Sequence, residues 1–277
     1  NELLLKYQQA QVDKLLSLSL QYGNVLYCMD NETNESPEWG KYWAEYVQAK
    51  AKEAGVGVET TEMWDADDLH DPQHANTFEH PETYSFVDIS QNNHNSADRH
   101  WENLLDMRTR IIETGKIRPM NTVKIYGANT GRYGNTRDAQ ERFWRNILGG
   151  VAATRFHRPP SGLGLSKRPQ KHIRSMRMML EEVDISACQP HNDLLRHKSW
   201  NEAYCAAEPG VQYAVFFCDG GDLSLDVSAC KDKPLSLHWL DIMDCRRLPT
   251  KRVPGGEGEL HLTTPRDEGF WVAIVKS

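Results

Sequence analysis

Asn24-Val25-Leu26-Tyr27-Cys28-Met29-Asp30-Asn31-Glu32-Thr33 decides how the first half of this chain is read. Its apolar run has the length of a strand and stops abruptly at an Asp-Asn-Glu-Thr cluster. A carboxyl group just past the C-terminal end of a strand stands where a (β/α) barrel gathers its loops on one face. The amide of Asn31 beside Glu32 adds a donor and an acceptor suited to a hydroxyl group. On these residues alone a second reading stays open, with Asp30 or Asn31 as the cap of the following helix.

Upstream, Leu4, Leu5, Val12, Leu15, Leu16, Leu18 and Leu20 recur at helical spacing up to Tyr22-Gly23. Downstream, Pro37-Glu38 opens a second helix, which carries Trp39, Tyr42, Trp43, Tyr46 and Val47 and ends at Gly55. A strand over 56–61 leads into Glu62-Met63-Trp64-Asp65, and residues 67–82 read as a polar, His-rich loop. Strands over 84–89, 122–126 and 151–157 alternate with helices over 100–114, 138–148 and 171–182. In the last helix Ile173, Met176 and Leu180 form the predicted inner face. Short apolar strands alternating with helices predict an α/β region with a parallel sheet covered on both faces.

After Asp184 the rhythm changes. Six short strands, at 204–207, 212–217, 223–227, 235–240, 259–263 and 270–275, are separated by turn signals such as Pro209-Gly210 and Asp219-Gly220-Gly221. Period-two alternation, as in Leu223/Leu225/Val227, predicts an antiparallel β-sandwich of about 85 residues. The expected domains are therefore 1–184, α/β, and 193–277, all-β, joined by a linker containing Pro190.

The 277 residues carry 32 basic and 39 acidic side chains, a formal charge of −7, which argues against a nucleic-acid partner. No run reaches the roughly 20 apolar residues of a membrane span. Six cysteines show no CxxC pair; Cys28 reads as a buried free thiol, and the four after Asn201 leave room for one disulfide. His70, His74 and His80 fit no standard metal spacing, and no metal is expected. The chain opens at Asn1-Glu2-Leu3-Leu4-Leu5 already in helical rhythm, which reads as a fragment of a longer protein.

The strand ends of the first region collect Asp30/Asn31/Glu32, Glu62/Trp64/Asp65, Asp88 with Gln91 to His94, Tyr126/Asn129 and Arg155/His157. Paired carboxyls across a scissile bond are what glycoside cleavage needs, and flat aromatic rings suit sugars. Trp64 and Tyr126 are the candidate platforms. No Walker-type or dinucleotide-type glycine loop follows any strand, so no cofactor is expected.

Asn24-Val25-Leu26-Tyr27 running into Asn31-Glu32-Thr33 resembles strand four of the clan A glycoside hydrolases, whose Asn-Glu pair supplies the acid/base. The tail is more specific. It runs through His172-Ile173-Arg174-Ser175-Met176-Arg177, Asn192-Asp193-Leu194-Leu195, Asn201-Glu202-Ala203-Tyr204-Cys205, Asp219-Gly220-Gly221, Leu237-His238-Trp239-Leu240-Asp241 and Trp271-Val272-Ala273. Together these motifs resemble apiosidase-like barrel proteins that carry a C-terminal module named for the collagen-binding domain of a collagenase.

The resemblance implies strands four to eight of a (β/α)8 TIM barrel followed by an antiparallel β-sandwich. It also implies a carbohydrate substrate, a secreted or periplasmic parent, and a missing N-terminal half of the barrel. Glu32 is then the candidate general acid/base, with Glu62 or Asp88 as its partner and Asn31, Trp64, Asp65, Tyr126 and His157 as substrate contacts. One departure stands out: the family places a nucleophilic Glu after strand seven, and here that strand reads Thr122-Val123-Lys124-Ile125-Tyr126-Gly127-Ala128-Asn129, without a carboxylate.

Overall fold

A computed structural model of the protein describes residues 2–128, 134–231, 233–255 and 258–277. The chain divides into two compact units, residues 1–92 with 106–121, and residues 93–105 with 122–277. Two elements, α4 (Ala97–Glu113) and β4 (Met120–Ile125), contribute residues to both.

The first unit runs α1 (Glu2–Ser19), β1 (Leu26–Cys28), α2 (Pro37–Glu53), β2 (Glu59–Thr61), α3 (Pro72–Phe78) and β3 (Val87–Asp88). β1 and β2 pair in parallel, Leu26 opposite Glu59 and Cys28 opposite Thr61. Phe86 N donates to Thr60 O, so the segment entering β3 continues this arrangement, and β3 pairs in parallel with Met120 and Asn121 of β4. α2 begins with Pro37 in its first turn, where the absent N–H costs nothing. It buries Trp43, Ala44, Val47 and Ala51 along one helical stripe. Its N-cap is Ser36, so neither Asp30 nor Asn31 caps it.

α3 corrects the sequence reading, which left 67–82 as loop. Asp71 accepts from Gln73 N at 2.9 Å and Pro72 takes the first helical position, so seven residues form a capped helix. At its other end the buried Arg118 guanidinium donates to the carbonyls of Thr77, Phe78 and Tyr84. A cation there satisfies carbonyls the helix leaves open, and it fixes Tyr84 in place.

α1 buries only Leu16 and leaves Leu3, Leu4, Tyr7, Leu15 and Leu18 exposed. A groove of about 310 Å³ lined by Leu15, Leu16, Tyr27, Trp39 and Trp43 runs beside it. Cys28, expected buried, is exposed, and its thiol donates to Asp30 O at 2.9 Å.

In the second unit, the rest of β4 lies beside β5 (Ala153–Phe156), with His157 N donating to Ile125 O. α5 (Thr136–Leu148) and α6 (Lys167–Leu180) follow in the chain around β5, and then come the strands of the tail. These are β6 (Gln189–Pro190), β7 (Leu195–Arg196), β8 (Ala203–Glu208), β9 (Gln212–Phe217), β10 (Asp222–Asp226), β11 (Pro234–Asp241), β12 (Arg246–Arg247), β13 (Lys251–Pro254), β14 (Glu259–Thr263) and β15 (Trp271–Lys276). They build an antiparallel seven-stranded sheet, ordered β12-β11-β15-β9-β8-β6 with β13 also on β11, and a three-stranded sheet β14-β10-β7. The expected linker is thus partly sheet, since Gln189 and Pro190 pair with Ala207 and Ala206.

Period-two alternation sends the central strands' side chains into two different cores. Tyr213, Val215, Phe217, Trp271, Ala273 and Val275 join Leu225, Leu260 and Leu262 of the smaller sheet. Tyr204, Phe216, Val272 and Ile274 face the other way, onto Phe143, Trp144 and Met179 of α5 and α6. Here the α6 face meets expectation in part, with Ile173 and Met176 packed against this core. His172, Ser175 and Met179 are buried, whereas Leu180 is exposed. The polar pair is tolerated because Trp144 Nε1 donates to His172 Nδ1 at 2.9 Å and Ser175 Oγ donates to Ile242 O at 2.8 Å. All six cysteines are free, and Trp200 is exposed.

Candidate active site

The Asp-Asn-Glu cluster is pushed out of the β1–β2 ladder by a count of residues. Cys28 stands opposite Thr61, and the next pairing is Thr33 with Trp64. One chain takes five steps between these points and the other three, so residues 29–32 form an outward excursion. Thr33 then re-enters the ladder, its N–H donating to Met63 O and its carbonyl accepting from Asp65 N. Within the excursion Asp30 Oδ1 accepts from Asn31 N at 2.8 Å, and Asn31 is exposed. Glu32 is half-buried and takes the left-handed conformation, φ 53°. For a residue with a Cβ that costs on the order of 1–2 kcal/mol. Such strain collects at functional loops.

Glu62, on the neighbouring strand tip, is 1% exposed. Its Oε2 accepts from Tyr84 Oη at 3.2 Å, while Oε1 is buried with no hydrogen-bond partner among the described residues. Burial pushes its pKa up to about 7; the Tyr84 hydroxyl opposes this, the Asp30 charge adds to it, and the Asp30 backbone N–H opposes it again. The same burial, with the Glu62 charge, drives the Tyr84 phenol far upward, so it remains a donor.

Space for this carboxyl comes from Gly40 in the first turns of α2. A methyl group there would lie 1.7 Å from Glu62 Oε2 and 3.0 Å from Tyr84 Oη. Gly40 and Tyr84 were not foreseen as parts of the site. The signal was a lone glycine inside an otherwise strong helical pattern, Trp39-Gly40-Lys41.

The other candidates are placed as follows. Asp88 is buried and serves the 3-10 turn over Ser90–His94. Its Oδ1 accepts from Ser90 N at 2.9 Å, and its Oδ2 accepts from Ser90 Oγ and from Asn121 Nδ2. Both oxygens are therefore committed to local structure, which corrects its reading as a partner carboxylate. Trp64 is 2% exposed and its indole N–H donates to Thr77 Oγ1 at 2.9 Å. It packs in the core and offers no open ring face, a correction to the platform expectation. Asp65 is exposed and accepts from Asn34 Nδ2 at 2.9 Å.

In the second unit Tyr126 and His157 stand ring to ring, with centroids 4.4 Å apart. The Tyr126 N–H donates to Asn93 Oδ1, and Tyr126 bridges to Gly162. Asn129 lies outside the described residues.

Solved structures were compared with this chain. A glycoside hydrolase family 5 protein from Bacteroides vulgatus superposes with a TM-score of 0.67, at 10% identity, over 98% of this chain and 66% of that one. The fold is glycoside hydrolase-like. A second glycoside hydrolase structure from the same organism gives 0.58 at 13% identity, over 95% of this chain and 53% of its own length. A family 30 subfamily 8 xylanase from Clostridium acetobutylicum gives 0.50 at 10% identity, over 91% and 66%. The chain thus spans about half to two thirds of the length of these three structures. No protein-family model matches the sequence. No curated protein matches it. Among the described residues no helix is long and apolar enough to cross a membrane.

Proposed function

We propose that the chain belongs to a protein that acts on glycosidic bonds of polysaccharides, with Glu32 as general acid/base and Asn31 as its sugar-binding neighbour. The observation that carries this reading is the half-buried Glu32, held in the left-handed conformation at a strand end of a glycoside hydrolase-like fold. Of the two carboxyls considered as its partner, Glu62 is favoured. It stands on the adjacent parallel strand and does not have both oxygens tied into hydrogen bonds, as Asp88 does. Its high proton affinity suits a group that holds a proton near neutral pH.

In the same reading residues 1–184 are strands four to eight of a TIM barrel and 193–277 a β-sandwich. The parent is secreted or periplasmic, and its further barrel strands cover the outer edge of β1 and the exposed leucines of α1. In the second unit, considered by itself, Tyr126 and His157 are the candidate sugar contacts.

A second reading, glycan binding without cleavage, is favoured by the burial of Glu62 and Trp64 and by the lack of a carboxylate after Ile125. The test incubates the protein with a panel of plant and microbial polysaccharides and measures new reducing ends. Release by the natural protein, lost in Glu32→Gln with retention on glycan affinity gels intact, supports hydrolysis. Binding by the natural protein without release supports the second reading. Equal release by both proteins removes Glu32 from its role.

A further inference from the structure

Helix α6 in the second unit carries charge of one sign. Its residues, Lys167–Leu180, include Lys167, Arg168, Lys171, Arg174 and Arg177 and no Asp or Glu. Helices α1, α2, α4 and α5 each mix both signs, and the whole chain stands at −7. The cations are also sorted by face. His172, Ser175 and Met179 are buried, and Arg168 reaches α5, its Nη1 donating to Gln140 Oε1 at 3.4 Å. Lys167, Lys171, Arg174 and Arg177 follow at helical steps of four, three and three residues, which puts them on one side of the helix. All four are exposed.

The chain supplies little to answer this stripe. Among the described residues none of these four side chains has an ion pair. The acids that follow α6 are taken: Glu181 meets Arg247 Nη2 and Glu182 meets Arg247 Nε, each at 2.6 Å, and Glu182 also meets His238 at 2.9 Å. The Cys245 thiol donates to Lys171 O at 3.5 Å, and the acid which that turn offers is the single exposed carboxylate of Asp244. Such an arrangement opposes folding. Like charges three and four residues apart repel along a helix, and three such pairs stand in a row here. Lys167 and Arg168 also occupy the first turn, where the helix dipole favours acids. An exposed face that keeps a local electrostatic penalty marks a place where function, not stability, set the residues.

We propose that this face of α6 docks the carboxylates of a uronic-acid polysaccharide. The choice of a glycan rests on the proposed function, and the stripe itself favours it over other polyanions. At about 1.5 Å of rise per residue the four cations succeed one another every ~4.5–6 Å, a spacing that suits one carboxylate per sugar ring. Duplex DNA carries a charge about every 1.7 Å, far denser than this single row. A membrane surface takes up a helix by its apolar face, and that face of α6 is committed to the core. Each exposed contact is weak and screened by salt, so the docking is multivalent and salt-sensitive.

The test titrates the whole chain with sodium polygalacturonate in affinity electrophoresis, beside fully methyl-esterified pectin and duplex DNA, with co-sedimentation on phosphatidylserine vesicles. Retardation by polygalacturonate, weakening as sodium chloride rises, is expected. Lys171→Gln/Arg174→Gln lowers that affinity about tenfold, as two exposed ion pairs of a few-fold each would. The same variant relieves repulsion, so its urea midpoint is no lower than that of the natural protein, and lost affinity is not lost fold. Absence of polygalacturonate binding, equal retardation by the methyl ester, tighter binding to DNA or vesicles, or full affinity in the double variant would overturn the assignment. The two readings fail separately. Stripe-dependent binding without release of reducing ends upholds the docking face while cleavage fails; release from neutral glycans with no polygalacturonate bound does the reverse.

Discussion

Replacing Glu62 by Gln removes one titrating proton while keeping the side chain's shape, and the surroundings of that carboxyl set the size of the effect. In the folded protein its pKa is pushed up from the ordinary 4.5 to about 7, chiefly by burial. Between these values the folded state binds more protons at this site than the unfolded chain does. Unfolding free energy therefore falls as pH rises. The contribution is fully present below about pH 4.5, declines through the window up to 7, and is lost above it. Each tenfold change in proton affinity corresponds to about 1.4 kcal/mol, so the ionised carboxyl costs the fold on the order of 3 kcal/mol at pH 8.

Gln is neutral throughout and still accepts from Tyr84 Oη. Its stability should match that of the natural protein near pH 4 and exceed it by up to about 3 kcal/mol at pH 8. Urea unfolding followed by tryptophan fluorescence at several pH values reads this directly. With a urea dependence of about 1–3 kcal/mol/M the midpoint moves by roughly 1 M or more. Other carboxyls titrate in both proteins, so the difference between the two curves isolates position 62. Parallel curves from pH 4 to 8 would refute the reasoning, because they would mean that Glu62 meets similar surroundings folded and unfolded.

Three further outcomes follow from named contacts. Gly40→Ala adds a methyl 1.7 Å from Glu62 Oε2; overpacking of about 1–3 kcal/mol outweighs the helix-propensity gain of about 1 kcal/mol, and urea unfolding should show a net loss. Asn135 accepts from Arg137 N at 2.8 Å and Asp138 N at 3.2 Å within a capping box, so Asn135→Ala should lower thermal stability by about 1 kcal/mol. Leu4→Gln and Leu18→Gln touch an exposed apolar face, 56% and 54% accessible. They should leave unfolding within about 0.5 kcal/mol and reduce self-association measured by sedimentation.

Much of this architecture was legible in the sequence because its signals are local. Pro37 and the aromatic stripe after it announced α2, and the short strands between turn signals after Asp184, with alternation as in Leu223/Leu225/Val227, announced the antiparallel sheets. α3 escaped because its apolar positions are few; its cap, Asp71-Pro72, was the readable sign, set among charged residues that suggested loop. The inner face of α6 was legible only in part, since Ile173 and Met176 pack against the core as expected but Leu180 does not, and the reason is different. His172 and Ser175 are core residues only because Trp144 and the Ile242 carbonyl, distant in sequence, meet their polar atoms. Hydropathy alone favours Leu180 over them.

The same division governs the site. That Glu32 and Glu62 end adjacent strands follows from the strand pattern, which is local in origin. That Glu62 holds its proton toward neutral pH does not. It depends on a missing Cβ at residue 40 that lets the carboxyl tuck beneath α2, on a phenol at residue 84 fixed by Arg118, and on one oxygen left without a donor. Gly40→Ala connects these levels. A methyl that forces the carboxyl outward rehydrates it, lowers its pKa, and so flattens the decline in stability between pH 4.5 and 7, as Glu62→Gln does by other means. If the Ala variant instead loses stability equally at pH 4.5 and pH 8, the strain is purely steric. Proton affinity at residue 62 would then owe nothing to the helix above it.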